Sequence, residues 1–271
     1  ERVKEFNYTD MANNNFVPKT KDKIKQGNNI LKFFGYSSFD TLMPNLRLNP
    51  LAEGAFRVHI SENTNVNPIA LHAWIQEGEI QARRIDTEEF NKQQLIESIP
   101  DLRRLTLDAN PEKFVQQLQE IAASFGVAVV FVPALKGSRV SGVTRWQSPF
   151  PRAIVELSLR YKTNDSLWFT FFHELAHLVL HRKQTFYTVD NATYANSEAE
   201  EQANVWAADK LIPRKKWADF IDAGNFTREA ILTFAEQVQI HAGIVLGRLQ
   251  KEERLPYSAY SDLKVRFTWN N

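Results

Sequence analysis

Residues 166–181 read SLWFTFFHELAHLVLH, and this stretch decides how the chain folds. Most of its residues are large and apolar, which predicts a helix buried in a core. On a helical wheel, its polar side chains fall within one stripe about 100° wide. The members of that stripe are Ser166, Thr170, His173, Glu174, His177 and His181. Because unpaired polar groups are costly in a core, the stripe predicts a binding partner for its histidines and glutamate.

The centre of this stretch, His-Glu-Leu-Ala-His at 173–177, matches the pattern H-E-x-x-H. Side chains at i and i+4 lie on one face of a helix, so His173 and His177 can reach one metal ion. Zinc binds imidazole nitrogen and keeps an open position for water in catalytic sites. Glu174 is then the candidate general base. The alternative is a chance pattern of core histidines, but three of the chain's six histidines lie within the nine residues 173–181.

A third metal ligand is required from elsewhere in the chain. His181 lies eight residues after His173, about 12 Å farther along a regular helix, which is too far to share the ion. No glycine follows the motif to break the helix. We therefore predict that His181 caps the C-terminal end of the helix, where a donor or cationic side chain is favoured.

The segment 197–213, SEAEEQANVWAADKLIP, is the better source of the third ligand. Small residues share a helical face with Glu200 and allow close packing on the first helix. Glu200 is then the predicted ligand, and Asn204, one turn later, can orient a histidine ligand through its outer ring nitrogen. One alternative is that this helix is merely a charged surface helix and supplies no ligand. Another is that a different acidic side chain of the segment binds the metal. The candidates are Glu198, Glu201 and Asp209.

The order of elements around the motif predicts an α+β fold. Three β-branched runs predict strands at 127–135, 140–146 and 153–159. Amphipathic patterns predict helices at 111–126, 165–181, 197–211, 214–222 and 227–253, the last broken near 240. We expect a small three-stranded antiparallel or mixed sheet packed on zincin-like active-site helices. One edge of that sheet, at 140–146 or 153–159, is expected to pair with an extended substrate.

The first part of the chain predicts a helical region. Residues 1–20 are polar and are expected to be a weakly ordered lead-in. Helical patterns follow, ending at Gly35, beginning near Pro68 and beginning at Thr87. We therefore predict a helical N-terminal region at 1–105 and a zincin-like metallopeptidase domain at 106–271.

Composition excludes several classes of protein. The 271 residues include no cysteine, which excludes a disulfide scaffold, a cysteine nucleophile and cysteine-ligated zinc. The 33 basic and 32 acidic residues give a net charge of +1, so no bulk field favours nucleic acid or anionic lipid. No uncharged apolar run reaches the ~18 residues that would span a bilayer. We expect a cytoplasmic protein with neither nucleic acid nor membrane as a partner of this chain.

The two motif helices together resemble the ImmA/IrrE family of metallopeptidases. The shared features downstream of the HELAH motif are Glu200, Ala203, Asn204, Ala207, Leu211 and Pro213, with Trp206 where the family has phenylalanine. Segments such as GVAVVFVPAL and GIVLGRLQ extend the resemblance over roughly 100–255. It implies one zinc ion per chain held by His173, His177 and Glu200, with Glu174 as catalytic base. Larger members carry an N-terminal helix-turn-helix, which is not evident here. Either that module lies upstream of Glu1 in the parent protein or this member lacks it, and the missing initiator Met favours the first.

The resemblance also implies a function. We expect a zinc-dependent endopeptidase that cleaves a specific regulatory protein, a helix-turn-helix repressor, within a stress-response or toxin–antitoxin circuit. The alternative is a zinc-containing sensor or interaction module of a transcription regulator or antitoxin, with little or no hydrolysis. Candidate side chains for stabilising the oxyanion are Tyr161, His241 and Arg248. For each of these three a structural role is the competing interpretation.

Overall fold

The computed structural model describes residues 2–47, 58–59, 66–147, 152–158, 160, 162–181, 186–189, 193–194 and 197–267. The helices are α1 (Tyr8–Asn13), α2 (Lys23–Phe34), α3 (Phe39–Arg47), α4 (Pro68–Ala82), α5 (Lys92–Leu105), α6 (Pro111–Ser124), α7 (Asn164–Leu180), α8 (Ser197–Leu211), α9 (Arg214–Ala223), α10 (Arg228–Val238) and α11 (Ala242–Lys251). The strands are β1 (Val58–His59), β2 (Val127–Phe131), β3 (Val140–Gln147), β4 (Arg152–Leu157), β5 (Phe186–Val189) and β6 (Thr193–Tyr194). The predicted α+β class is confirmed.

The three predicted strands form a mixed sheet, and a fourth strand that was not predicted joins it. The spatial order is β2-β4-β3-β5. Strand β2 runs parallel to β4, whereas β3 is antiparallel to both β4 and β5. The expectation that 140–146 or 153–159 forms an edge is therefore wrong, because β3 and β4 each lie between two neighbours. The edge next to the motif helix is β5, which follows α7 in the chain.

One face of the sheet packs on the helices that carry the motif. Alternate residues of the strands, including Val129, Val155 and Leu157, belong to a core that also contains Trp168, Phe171 and Phe172 of α7. Side chains of α5, α6 and α8–α11 complete this core. The alternation follows from the two-residue period of a strand, which sends neighbouring side chains to opposite faces. The core therefore holds α7 flat against the sheet.

The opposite face of the sheet is covered by α1–α4. Its residues Val130, Val143 and Ile154 pack with the N-terminal helices in a second core. The expectation of a weakly ordered lead-in at 1–20 is wrong, because Phe6 and Met11 are buried in this core. Their apolar neighbours are too sparse to produce a helical period, and only tertiary packing reveals that they are core residues.

Helix α5 begins later than the predicted start at Thr87. It starts at Lys92, and the side chain of Asn91 accepts a hydrogen bond from the Gln94 amide. The preceding residues pair with the end of α6, where the Asn91 amide donates to the Phe125 carbonyl. Residues 88–91 accordingly lie outside the helix. Four side chains of α5 belong to the core around α7, while the division at 105 remains a prediction.

No single helix in the described ranges is long and apolar enough to cross a bilayer. Helices α10 and α11 pass on length and composition only as a pair, and they are bent by 115° relative to each other.

A buried polar contact joins the N-terminal helices to the sheet. Glu156 of β4 is fully buried beneath α4, with Arg145 Nη2 3.4 Å from its Oε2. Arg145 Nη1 also lies 3.3 Å from Glu79 Oε2 on α4. Burial raises the pKa of Glu156 well above its usual value, against the opposing charge of Arg145. Gly78 provides the space for this carboxylate, since a Cβ there would overlap it.

We expect Gly78→Ala to destabilise the protein by about 1–3 kcal/mol, because the added methyl group overpacks the Glu156 carboxylate. Urea unfolding of the purified variant measures the change in the free energy of unfolding. Gly27→Ala is the matched control, since a Cβ at Gly27 would meet its nearest neighbour at an ordinary 3.5 Å. The control is expected to be neutral or stabilising, as alanine favours a helix by up to about 1 kcal/mol. Equal stability of the two variants would contradict the packing of α4 on the sheet.

Candidate metal centre

Helix α7 carries the motif and is buried from Phe171 to Val179, whereas Phe169 and Leu180 are exposed. Most of the residues in this buried stretch are phenylalanine, leucine, alanine or valine. His173, Glu174 and His177 are 3%, 0% and 1% exposed. The predicted buried helix is therefore confirmed, and the three polar side chains of the motif lie inside the protein, where they need partners.

Three side chains converge on one point at the crossing of α7 and α8. The Nε2 atoms of His173 and His177 are 3.0 Å apart. His173 Nε2 lies 3.1 Å from Glu200 Oε2, and His177 Nε2 lies 3.6 Å from Glu200 Oε1. Ligand atoms about 2.0–2.1 Å from a tetrahedral zinc ion would be roughly 3.3 Å apart. The observed triangle therefore has the size that such an ion requires.

Helix α8 delivers Glu200 because it can approach α7 closely. Ala203 and Ala207, on the same side of α8, are fully buried. Among the described residues, the group of possible ligands whose atoms lie within 4.8 Å of one another consists of His173, His177 and Glu200. Of the alternatives considered from the sequence, Glu198 and Glu201 are exposed, and neither belongs to this group; Asp209 does not belong to it either.

The outer nitrogen of each histidine has its own partner. His173 Nδ1 is 3.0 Å from Asn204 Oδ1, as expected for a residue that orients a ligand. His177 Nδ1 is 3.0 Å from His181 Nδ1. His181 ends α7 as predicted, and its amide donates to the His177 carbonyl. Its side chain, however, contacts His177 and Gln202, a role that the capping argument did not predict.

Burial and neighbouring charges shift the pKa values of the two histidines in opposite directions. Burial alone would lower the pKa of His173, but its hydrogen bond to Glu200 and the charges of Glu174 and Glu200 outweigh burial and raise this pKa. Burial, together with the charges of His173 and His181, lowers the pKa of His177 to about 2. His177 is therefore neutral at physiological pH, the form in which imidazole binds metals.

Strand β3 supplies the surroundings of Glu174. Thr144 Oγ1 lies 2.7 Å from Glu174 Oε2 and 3.0 Å from the Glu174 carbonyl oxygen. Gly142, two residues earlier on the same face, leaves room for the carboxylate, because a Cβ there would lie 2.5 Å from Glu174 Oε1. A bulge between Val140 and Gly142, in the pairing of β3 with β5, determines that Gly142 and Thr144 face α7. Sequence reasoning missed Thr144 and Gly142, since only the tertiary pairing of β3 with α7 identifies them.

The three residues considered for the oxyanion lie in different surroundings. Tyr161 is outside the described residues. The ring of His241 caps α11 and contacts Asn164, at the opposite end of α7 from His177. Arg248 donates to the Ala208 carbonyl and lies over the ring of Trp217. His241 and Arg248 thus have the structural roles that were their competing interpretation, and the structure gives neither a contact with the three ligand side chains.

A buried H-E-x-x-H helix, a downstream glutamate on a second helix and a small mixed sheet are features typical of a metallopeptidase-type domain. Comparison with known families agrees with this class. Residues 122–250, slightly less than half of the chain, match the Peptidase_M78 model, which is described as the IrrE N-terminal-like domain. The ImmA/IrrE resemblance is therefore confirmed for this segment, which contains the motif and the site. A comparison with curated proteins gave no match.

We expect Thr144→Val to lower the free energy of unfolding by about 1–3 kcal/mol, because the buried Glu174 carboxylate loses a hydrogen-bond donor. Valine has nearly the same shape, so the change isolates the hydroxyl group. Thr144→Ser, which keeps the hydroxyl and loses a methyl group, is the control. Urea unfolding at pH 7 measures both, and a valine variant as stable as the wild type would show that the hydroxyl contributes nothing.

Proposed function

We propose that this protein is a zinc-dependent endopeptidase with Glu174 as general base. The observation that carries the proposal is the buried triangle of His173, His177 and Glu200, with Glu174 next to the first ligand in sequence. A structural zinc site usually has four protein ligands, whereas a catalytic one has three and a position for water. A purely structural site would not need a carboxylate beside the first ligand.

The chemistry of the ligands favours zinc. Two imidazole nitrogens and one carboxylate oxygen match the ligand set of many zinc hydrolases. The outer hydrogen bonds of both histidines leave their Nε2 atoms for the ion, which is the usual arrangement around a bound metal. The site has no thiolate ligands, because the chain contains no cysteine.

The residues of the chain divide the hydrolytic work between them. Bound zinc would polarise the scissile carbonyl and make the attacking water more acidic. Glu174 takes a proton from that water and passes it to the leaving nitrogen as the peptide bond breaks. Thr144 fixes the orientation of the Glu174 carboxylate through its 2.7 Å contact. Asn204 holds the ring of His173 in place through its Nδ1 atom.

The resemblance to ImmA/IrrE proteins supports a regulatory protein, namely a helix-turn-helix repressor, as the substrate. An extended segment of that substrate would add to the sheet at β5, because the described residues place a partner strand on only one side of β5. The reaction would then take place in the cytoplasm, as part of a stress-response or toxin–antitoxin circuit. No contact with nucleic acid is proposed for this chain, whose net charge is +1.

One observation favours a second candidate function, a zinc-containing sensor or interaction module. Glu174 is fully buried, and its carboxylate already contacts Thr144. A site this enclosed suits an ion that senses or stabilises as well as one that hydrolyses. The two functions differ in what Glu174 does, so replacement of Glu174 separates them.

Metal binding is tested by replacing Glu200. Wild-type protein purified without chelators is expected to contain about one zinc ion per chain, and Glu200→Ala much less, because one of three protein ligands is lost. Glu201→Ala removes an exposed neighbour and is the matched control. Elemental analysis measures the zinc content. Equal zinc loss in both variants would move the third ligand away from Glu200.

Hydrolysis is tested with Glu174→Gln. This variant is expected to keep zinc and to cleave about 10²–10⁴ times more slowly, because glutamine cannot accept the proton. The zinc-loaded protein is incubated with the protein encoded next to it, as the candidate substrate, with and without chelator, and the products are identified by intact-mass analysis. Cleavage by Glu174→Gln at the wild-type rate would exclude Glu174 as the base. Zinc binding without cleavage of this substrate would favour the sensor function.

A further inference from the structure

A chain of hydrogen bonds continues outward from the metal-binding triangle on the side of His177. It passes from His177 Nδ1 to His181 Nδ1 at 3.0 Å. His181 Nε2 then lies 3.2 Å from Gln202 Oε1. Gln202 Nε2 donates to Glu198 Oε1 at 3.2 Å. This series of hydrogen bonds therefore links the end of α7 to the first turn of α8.

We propose that His181 is a positioning residue for the metal ligand His177, and that Gln202 and Glu198 hold His181 in the orientation this requires. The inference rests on the proposed metal site. His181 itself does not bind the ion: it is absent from the group of described ligand atoms that lie within 4.8 Å of one another.

The direction of each hydrogen bond supports this role. Glu198 Oε1 is an acceptor, so the Gln202 amide nitrogen donates to it and the Gln202 oxygen remains to accept from His181 Nε2. A neutral His181 that donates from Nε2 has a lone pair on Nδ1. His177 must then donate from its own Nδ1, which leaves the lone pair of His177 on Nε2. That nitrogen is the corner of the metal-binding triangle that lies 3.6 Å from Glu200 Oε1.

His173 is oriented in the same sense by a simpler partner. The Asn204 oxygen can only accept, so His173 donates from Nδ1 and presents Nε2 to the same point. Both metal ligands therefore have their tautomers fixed by groups outside the triangle. Loss of such a partner typically weakens metal binding by about 10–100-fold.

The test measures zinc affinity of the metal-free full chain by competition with a chromophoric chelator. His181→Phe keeps the ring but removes the acceptor, and we expect zinc binding about 10–100 times weaker. His181→Asn keeps an acceptor near the position of Nδ1 and is expected to recover most of the loss. Unfolding curves of the metal-free variants show whether each is folded.

Gln202→Leu tests the next member of the chain and keeps the proposal testable if His181→Phe fails to fold. It is expected to weaken zinc binding less than His181→Phe, because it acts through His181. The matched control is Gln116→Leu, since Gln116 makes a similar exposed hydrogen bond to Glu120 on α6. The control is expected to bind zinc as the wild type does. Gln202→Leu with the affinity of the control would contradict the outward chain.

Cobalt(II) in place of zinc separates a positioning residue from a ligand. The visible absorption bands of cobalt-loaded His181→Phe should keep the wild-type positions, because the ligand set is unchanged. Shifted bands would make His181 a ligand and overturn the proposal. So would wild-type affinity of His181→Phe, while leaving the proposed function intact. A wild-type protein that binds no zinc would instead overturn the proposed metal site and, with it, this inference.

Discussion

The burial of a polar stripe on α7 is the constraint on which the rest of the structure depends. Apolar side chains on the remainder of this helix force it into a core, and His173, Glu174 and His177 go with it. Burying such groups without partners would cost several kcal/mol. The fold meets this cost from two sides, with carboxylate and amide groups from α8 and a hydroxyl group from β3.

Strand β3 serves both cores because its side chains alternate between the two faces of the sheet. Thr144 contacts Glu174 on one face, and its neighbour Arg145 contacts Glu79 of α4 on the other. The strand that contacts the candidate base Glu174 therefore also contacts the N-terminal helices. Those helices form part of the support of the site, even though none of the three ligand side chains comes from them.

Local patterns in the sequence predicted the parts of the fold that depend on neighbours in the chain. The spacing of His173 and His177 and the small residues beside Glu200 each depend on a single helix. The β-branched runs predicted β2, β3 and β4. Thr144 could not be found in this way, because its role depends on the pairing of β3 with α7 and on a bulge that shifts its phase. The burial of Phe6 likewise follows from tertiary packing alone.

Helix α8 concentrates the interactions that link the two motif helices. Within one run of seven residues it provides Glu200 for the triangle, Asn204 for His173, and Gln202 with Glu198 for His181. Any ligand that binds the native arrangement and not the unfolded chain stabilises that arrangement. An ion held between His173 and Glu200 would therefore act as a cross-link between α7 and α8. Its binding free energy would become part of the free energy that keeps the two helices together.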